Sequence, residues 1–178
     1  MFKSICQNHA KLSGLGHFVY REKAFMLKKA SEYNVKIILS DNSQQCNINA
    51  ICVLHDGHIV VADNQNKIIK LLDQNYKVIH HKGVSCHPCD MCQVDTNEVG
   101  VTMNPSKKHE VQFISVNDGR LVKGRRLKLP RTCNGIACHQ NDLYITSDTA
   151  LCKYTMSGQM VSTLYEDASA NGAGTEVW

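Results

Sequence analysis

The stretch AICVLHDGHIVVADNQNKIIKLLD, Ala50 to Asp73, decides the fold. Asp56-Gly57 divides two apolar runs, ICVL and HIVVAD. Asp-Gly between apolar runs is a hairpin signal, because a type I′ turn needs φ > 0 at both central positions. After Asp63 the run breaks at NQN and resumes as KIIKLLD. Asn tolerates left-handed backbone, so a second tight turn is expected there. YKVI, residues 76–79, supplies a fourth strand. Four antiparallel strands joined by tight turns make one meander, and such a piece cannot bury its apolar faces alone.

The pattern returns. DMCQVDTNEVGVTM at 90–103 repeats 50–63 at an offset of 40 residues (90 − 50). GIACHQNDLYITS at 135–147 is a third copy, with Ile145 answering Val61 and Val101. The second hairpin also returns, as EVQFISVNDGRLV at 110–122 and ALCKYTMSGQMVSTL at 150–164. Its turns fall at Asn117-Asp118-Gly119 and Ser157-Gly158. A period of roughly 40–45 residues with four short strands per unit marks a β-propeller. Units start near residues 46, 86 and 132, and YNVKIIL places strand material at 34–40 from a fourth. The expected fold is all-β: a partial propeller of about three four-stranded antiparallel blades. The expected divisions are a short helical or irregular lead-in over 1–31, the partial propeller over 32–167 and a disordered tail over 168–178.

Composition bounds the function. Hydrophobic residues are 43% and charged residues 20% of 178, which is globular rather than disordered. A net charge of +4 permits an acidic partner such as RNA without requiring one. No apolar run is long enough for a membrane span, and the first residues lack the apolar core of a secretory signal. Nine cysteines, an odd number, read as reduced thiols and a cytoplasmic location.

Three sets of residues invite a chemical reading. Cys86, Cys89 and Cys92 stand at C-x2-C-x2-C spacing beside His87, which is compatible with tetrahedral zinc. Cys92 answers Cys52 in the repeat, however, and Cys89 and Cys92 would point to opposite faces of one strand, so packing is the preferred reading and no cofactor is expected. The basic residues Lys123, Arg125, Arg126, Lys128 and Arg131, with Lys107 and Lys108 in another loop, are candidates for a binding rim. Alternation puts Arg126 and Lys128 on one strand face and Leu127 and Leu129 on the other, as in any half-exposed strand. Asp63 and Asp73 sit at strand ends, where Asp caps turns. No Ser–His–Asp or Cys–His arrangement and no phosphate loop is legible, so no catalytic residue is assigned and no enzyme activity is expected.

The phrase DGHIVVADNQNKIIKLLD resembles an NHL repeat, on Ile51, Asp56, Gly57, Ile59, Val61, Ala62, Asp63, Asn66, Ile69 and Asp73. More narrowly, residues 32–167 resemble the carboxy-terminal propeller of tripartite-motif (TRIM) E3 ubiquitin ligases, through SEYNVKI, VQFISVNDGRLVKGR and LYEDAS in the same order. That resemblance implies a substrate-recognition propeller whose loops bind protein. Two alternatives stand beside it: an RNA-binding propeller surface, or a truncated copy without function. The family's full ligases place RING and B-box zinc fingers first. Here Cys6-x-x-His9 has a B-box-like opening, but the next cysteine is Cys46 and no RING spacing occurs. Family propellers have about six blades, so self-association that completes the ring is a further expectation. The loops 80–90, 104–110 and 123–132 are the expected contact surface.

Overall fold

The structure is a computed structural model that describes residues 33–37, 45–105 and 108–167. The chain divides into two compact units, Met1–Glu32 and Tyr33–Trp178. The expected lead-in, the expected tail and Lys107 lie outside the described residues. Every described regular element is a strand. The first sheet, A, holds β1 (Ile48–Val53), β2 (Ile59–Asp63), β3 (Ile68–Leu72) and β4 (Val78–Gly83). Sheet B holds β5 (Pro88–Asp95), β6 (Glu98–Met103), β7 (His109–Asn117) and β8 (Arg120–Leu129). Sheet C holds β9 (Gly135–His139), β10 (Asp142–Thr146), β11 (Ala150–Thr155) and β12 (Met160–Glu166). Each is an antiparallel meander in chain order, so the three blades read from the period are three sheets. Residues 33–37 carry no strand, and the rest of the strand expected over 34–40 lies outside the described residues. Among the described residues no helix is long and apolar enough to cross a membrane.

The turns refine the reading of the opening stretch. At Asp56-Gly57 only Gly57 has positive φ, at 85°. The loop is a four-residue turn, closed by Gly57 N–H to Leu54 O and Leu54 N–H to His58 O. Asp56 favours it by accepting the His58 amide and ring N–H at 3.0 and 2.8 Å. Tyr76 (φ 62°) and Gly158 (φ 88°) occupy the same position in the β3–β4 and β11–β12 turns. The type I′ turns lie elsewhere. Asp118-Gly119 (49° and 67°) and Gln140-Asn141 (49° and 65°) have both central φ positive.

The sheets stack face to face. β1 lies beside β5, β5 beside β9, and β4 beside β8, so the first strands share one edge of the stack. Val60, Ala62, Ile69 and Leu71 of sheet A meet Met91, Val99, Val101, Met103 and Ile114 of sheet B. On the other face of B, Val111, Phe113, Leu127 and Leu129 meet Ile136, Leu143, Ile145, Cys152 and Tyr154 of sheet C. The two seams differ in how their rims are tied. Arg125, in the bulge between β7 and β8, lays its guanidinium 3.7 Å over the Phe113 ring and donates to Met156 O of sheet C. Gly100 is bare because Ile136 of sheet C and Val111 approach it; an added Cβ would meet them at 3.5 and 3.3 Å.

The free face of sheet A contains a buried ion pair. Ile59, Val61 and Leu72 there pack with Val35 of the 33–37 segment. Among them Lys70 and Asp63 are 1% and 0% exposed. Lys70 Nζ donates to Asp63 Oδ2 at 2.7 Å, Val35 O at 2.9 Å and Cys46 Sγ at 3.2 Å. Asp63 also accepts Nδ2–H of Asn66 at 3.0 Å and the amides of Asn47 and Asn66 at 3.2 and 3.3 Å. Burial raises the Asp63 carboxyl, but these donors outweigh it and hold its pKa below the ordinary value. Asp63 therefore caps its turn, as its strand-end position implies, and also neutralises a buried lysine.

Removing one member strands the other in an apolar layer. Asp63→Asn is expected to cost about 3–5 kcal/mol in urea denaturation, and Lys70→Met a similar amount. Because the folded Asp63 pKa is depressed, its contribution is complete above the unfolded value of about 3.9 and is lost as pH falls through the lower folded value. The acid limb of a stability–pH curve should therefore flatten in Asp63→Asn.

Candidate functional site

Antiparallel order sends the β2–β3, β6–β7 and β10–β11 loops, and the connections 84–87 and 130–134, to one end of the sheets. Side chains tie this rim from sheet to sheet. Asn64 Nδ2 donates to Pro88 O at 2.7 Å, and His87 Nδ1 donates to Asn64 O at 2.9 Å. Forty residues on, Asn104 repeats the device (104 − 64 = 40): its Nδ2 donates to Cys133 O at 3.2 Å and its Oδ1 accepts the Cys133 amide at 3.0 Å. Asp90 Oδ2 accepts the Ile136 amide at 2.9 Å. Asp148 takes Asn134 Nδ2–H at 2.8 Å and the Thr132 hydroxyl at 3.2 Å. Ser85, His87, Lys108, Asn134 and Asp148 remain exposed on this platform. The repeat offset was the signal that could have identified Asn64 and Asn104.

The expected contact segments map onto this rim only in part. Residues 84–87 and 104–105 with 108 are loop, but most of 123–132 is β8 and belongs to the outer edge of sheet B. Its arginines are engaged. Arg125 ties sheets B and C, as described above. Arg126 Nε donates to Gln112 Oε1 at 2.6 Å, and its Nη1 lies 3.5 Å from Glu110. Arg131 pairs with Glu166 at 2.6 Å. Lys108, Lys123 and Lys128 are exposed and form no ion pair among the described residues. Arg126 and Lys128 share one face of β8, opposite Leu127 and Leu129, as alternation implies.

The cysteines are divided between the seams. Cys86 is buried between sheets A and B, whereas Cys92 packs between sheets B and C. Cys89 lies at the rim, with Asn104 Nδ2 at 3.6 Å from its sulfur. His87 points to Asn64 O. The four candidates for metal therefore do not converge, and among the described residues no group of three or more His, Cys, Asp or Glu is arranged to hold a metal ion. Burial pushes the Cys92 thiol up to about 12 and the Cys133 thiol up to about 11.

No family model matches the chain, and no curated protein matches it. Solved structures do. The β-propeller domain of Myceliophteria thermophila Cps50 (Swd1) superposes with a TM-score of 0.54 at 10% identity, over 68% of this chain and 42% of that one. A gluconolactonase from Xanthomonas campestris gives 0.56 at 17% identity, over 74% and 51%. A functionally unknown protein from Desulfotomaculum acetoxidans gives 0.56 at 20% identity, over 66% and 42%. The chain spans about half or less of each. These likenesses show the fold, a β-propeller in part, and the activity of the Xanthomonas protein remains that protein's.

The raised thiols predict the labelling pattern. At pH 8, iodoacetamide should leave Cys92 and Cys133 unmodified in the folded protein and alkylate them only in denaturant, read by peptide mass spectrometry. Labelling of either in the native state at the rate of a free peptide thiol would contradict the packing described.

Proposed function

We propose that this propeller is a protein-binding module of TRIM type, the substrate-recognition part of a ubiquitin ligase, with contacts made by the loop rim. The observation that carries the proposal is that loops and connections from all three sheets are cross-tied by Asn64, Asn104, Asp90 and Asp148 into one platform. A rigid scaffold that presents loops at one end is the usual basis of recognition. The family assignment rests on the NHL-like phrases of the sequence, since fold alone does not fix function. The RNA reading ranks lower, because Arg125, Arg126 and Arg131 are engaged within the chain and no aromatic side chain interleaves with the basic run for base stacking.

Self-association is a second reading, favoured by the free face of sheet C. Tyr144, Leu151 and Lys153 stand there in register with the buried Val60, Ile69 and Leu71 of sheet A, and Val161 and Tyr165 on β12 are 52% and 62% exposed. Sedimentation of the full chain should show concentration-dependent association that Leu151→Glu abolishes. A mass unchanged by concentration and by this variant would end that reading.

The rim is testable with the module fused to a ubiquitin-transferring RING domain. The proteins that gain ubiquitin, identified by mass spectrometry, should lose that mark with the pair His87→Ala/Lys108→Glu. Both residues are exposed and His87→Ala removes one hydrogen bond, to Asn64 O, so the loss of stability should stay within about 1.5 kcal/mol. The pair Lys123→Glu/Lys128→Glu, on the outer edge, should leave the set unchanged. If instead the edge pair removes binding, and what binds is RNA whose affinity falls steeply with salt, the rim assignment is wrong.

A further inference from the structure

The two seams are closed by different chemistry. Across the A–B seam, two histidines of sheet A and its turns act as hydrogen-bond acceptors. His80 on β4 accepts the backbone amide of Leu121 on β8 at Nδ1, 3.2 Å. His55, in the β1–β2 turn at the end opposite the loop rim, lies with Nδ1 2.7 Å from Gln93 Nε2 on β5. The same Gln93 Nε2 donates to Thr96 O at 3.2 Å, which fixes the amide orientation and leaves His55 as the acceptor. Both bonds need a neutral ring whose Nδ1 carries no proton. The Asn104–Cys133 pair of the B–C seam matches Asn64–Pro88 of the A–B seam, but the other ties there are not histidines: Arg125 on Met156 O and the Asp90 carboxylate on the Ile136 amide.

We propose that the A–B seam is the acid-sensitive joint of the arc, closed while His80 is neutral and loosened when it gains a proton. Protonation converts this acceptor into a donor aimed at a donor. At His80 the facing charges favour the neutral state: His81 and Lys82 on its own strand and Arg120 across the seam are all basic, and burial acts in the same direction, ahead of them. Its pKa therefore lies below the ordinary histidine value of about 6.5. For a group depressed in the folded state, the stabilising effect is complete above the unfolded value and declines as pH falls below it. Acid should therefore loosen sheet A from sheet B first and leave B against C.

Amide hydrogen exchange on the full chain tests this. Leu121 N–H has His80 as its partner, so its protection factor, corrected for intrinsic exchange, should fall about fivefold or more between pH 7.5 and 5. The Ile136 amide, held by Asp90 across the other seam, should keep its protection over the same range. His80→Gln, whose amide oxygen accepts at every pH, should remove the pH dependence at Leu121. Nitrogen shifts of the His80 ring should report the Nε2–H tautomer at pH 7.5. A Leu121 protection factor that does not change with pH, an equal fall at Ile136, or the same fall in His80→Gln would overturn the proposal.

Discussion

Sheet B is buried on both faces, and the rest of the arc depends on that. A single four-stranded sheet of this length leaves an apolar face open on each side. Val99, Val101 and Ile114 point one way from sheet B, Val111 and Phe113 the other, and all five are fully buried. Neither face is covered by B itself. Sheets A and C are thus the solvent-excluding layers of B, and B is theirs. Removing either outer sheet would expose side chains worth roughly 1.5–3 kcal/mol each, more than the net stability of an ordinary domain can absorb when several are lost together. The blades fold as a set.

That dependence explains why the rim is ordered. The connections that become loops are short, and each must deliver the next β-strand onto a preformed face. Asn64 and Asn104 do this at similar places, gripping the backbone at the first residue of β5 and just before β9. Once the faces are packed, the loop end has little freedom left. A binding surface is in this sense a by-product of stacking, and its shape follows from the spacing of the sheets.

Much of the fold was legible. Short apolar runs such as IVVAD and IIKLL between turn residues, together with a repeat offset of 40 residues, led to three meanders, and unit starts near 46, 86 and 132 compare with first strands at 48, 88 and 135. What was not legible depends on side-chain partners that the strand pattern does not show. Asp-Gly at 56–57 reads as type I′, yet Asp56 stays at negative φ because its carboxylate is held by His58. Arg125 reads as a rim cation but a bulge turns it over Phe113. Lys70, inside the aliphatic run IIKLL, is among the most buried side chains in the structure. For Arg125 and Lys70 a long-range partner, invisible to local pattern, decided the outcome; for Asp56 the partner is local, two residues on.

The repeat makes the same point position by position. Val61, Val101 and Ile145 answer one another, and their cross-strand partners are Lys70, Gln112 and Cys152. These three unlike side chains perform three tasks. Lys70 fixes the 33–37 segment through the Val35 carbonyl. Gln112 satisfies the carbonyls of Phe113, Gly124 and Arg125 at the β7–β8 bulge. Cys152 packs in the B–C seam. On the opposite face the series is Leu71, Phe113 and Lys153. Leu71 and Phe113 are covered by the following sheet, whereas Lys153, on sheet C, stays partly exposed and pairs with Asp142 at 2.8 Å. The apolar lattice is therefore largely constant where sheets meet; its polar exceptions are Lys70 and Lys153 on the two end faces and Gln112, buried where the β7–β8 bulge opens carbonyls to it. That distribution is what a stacked repeat requires: identity is enforced inside the seams, and individuality is tolerated at the end faces and bulges, where a partner, a chain segment or water takes the place of the next blade.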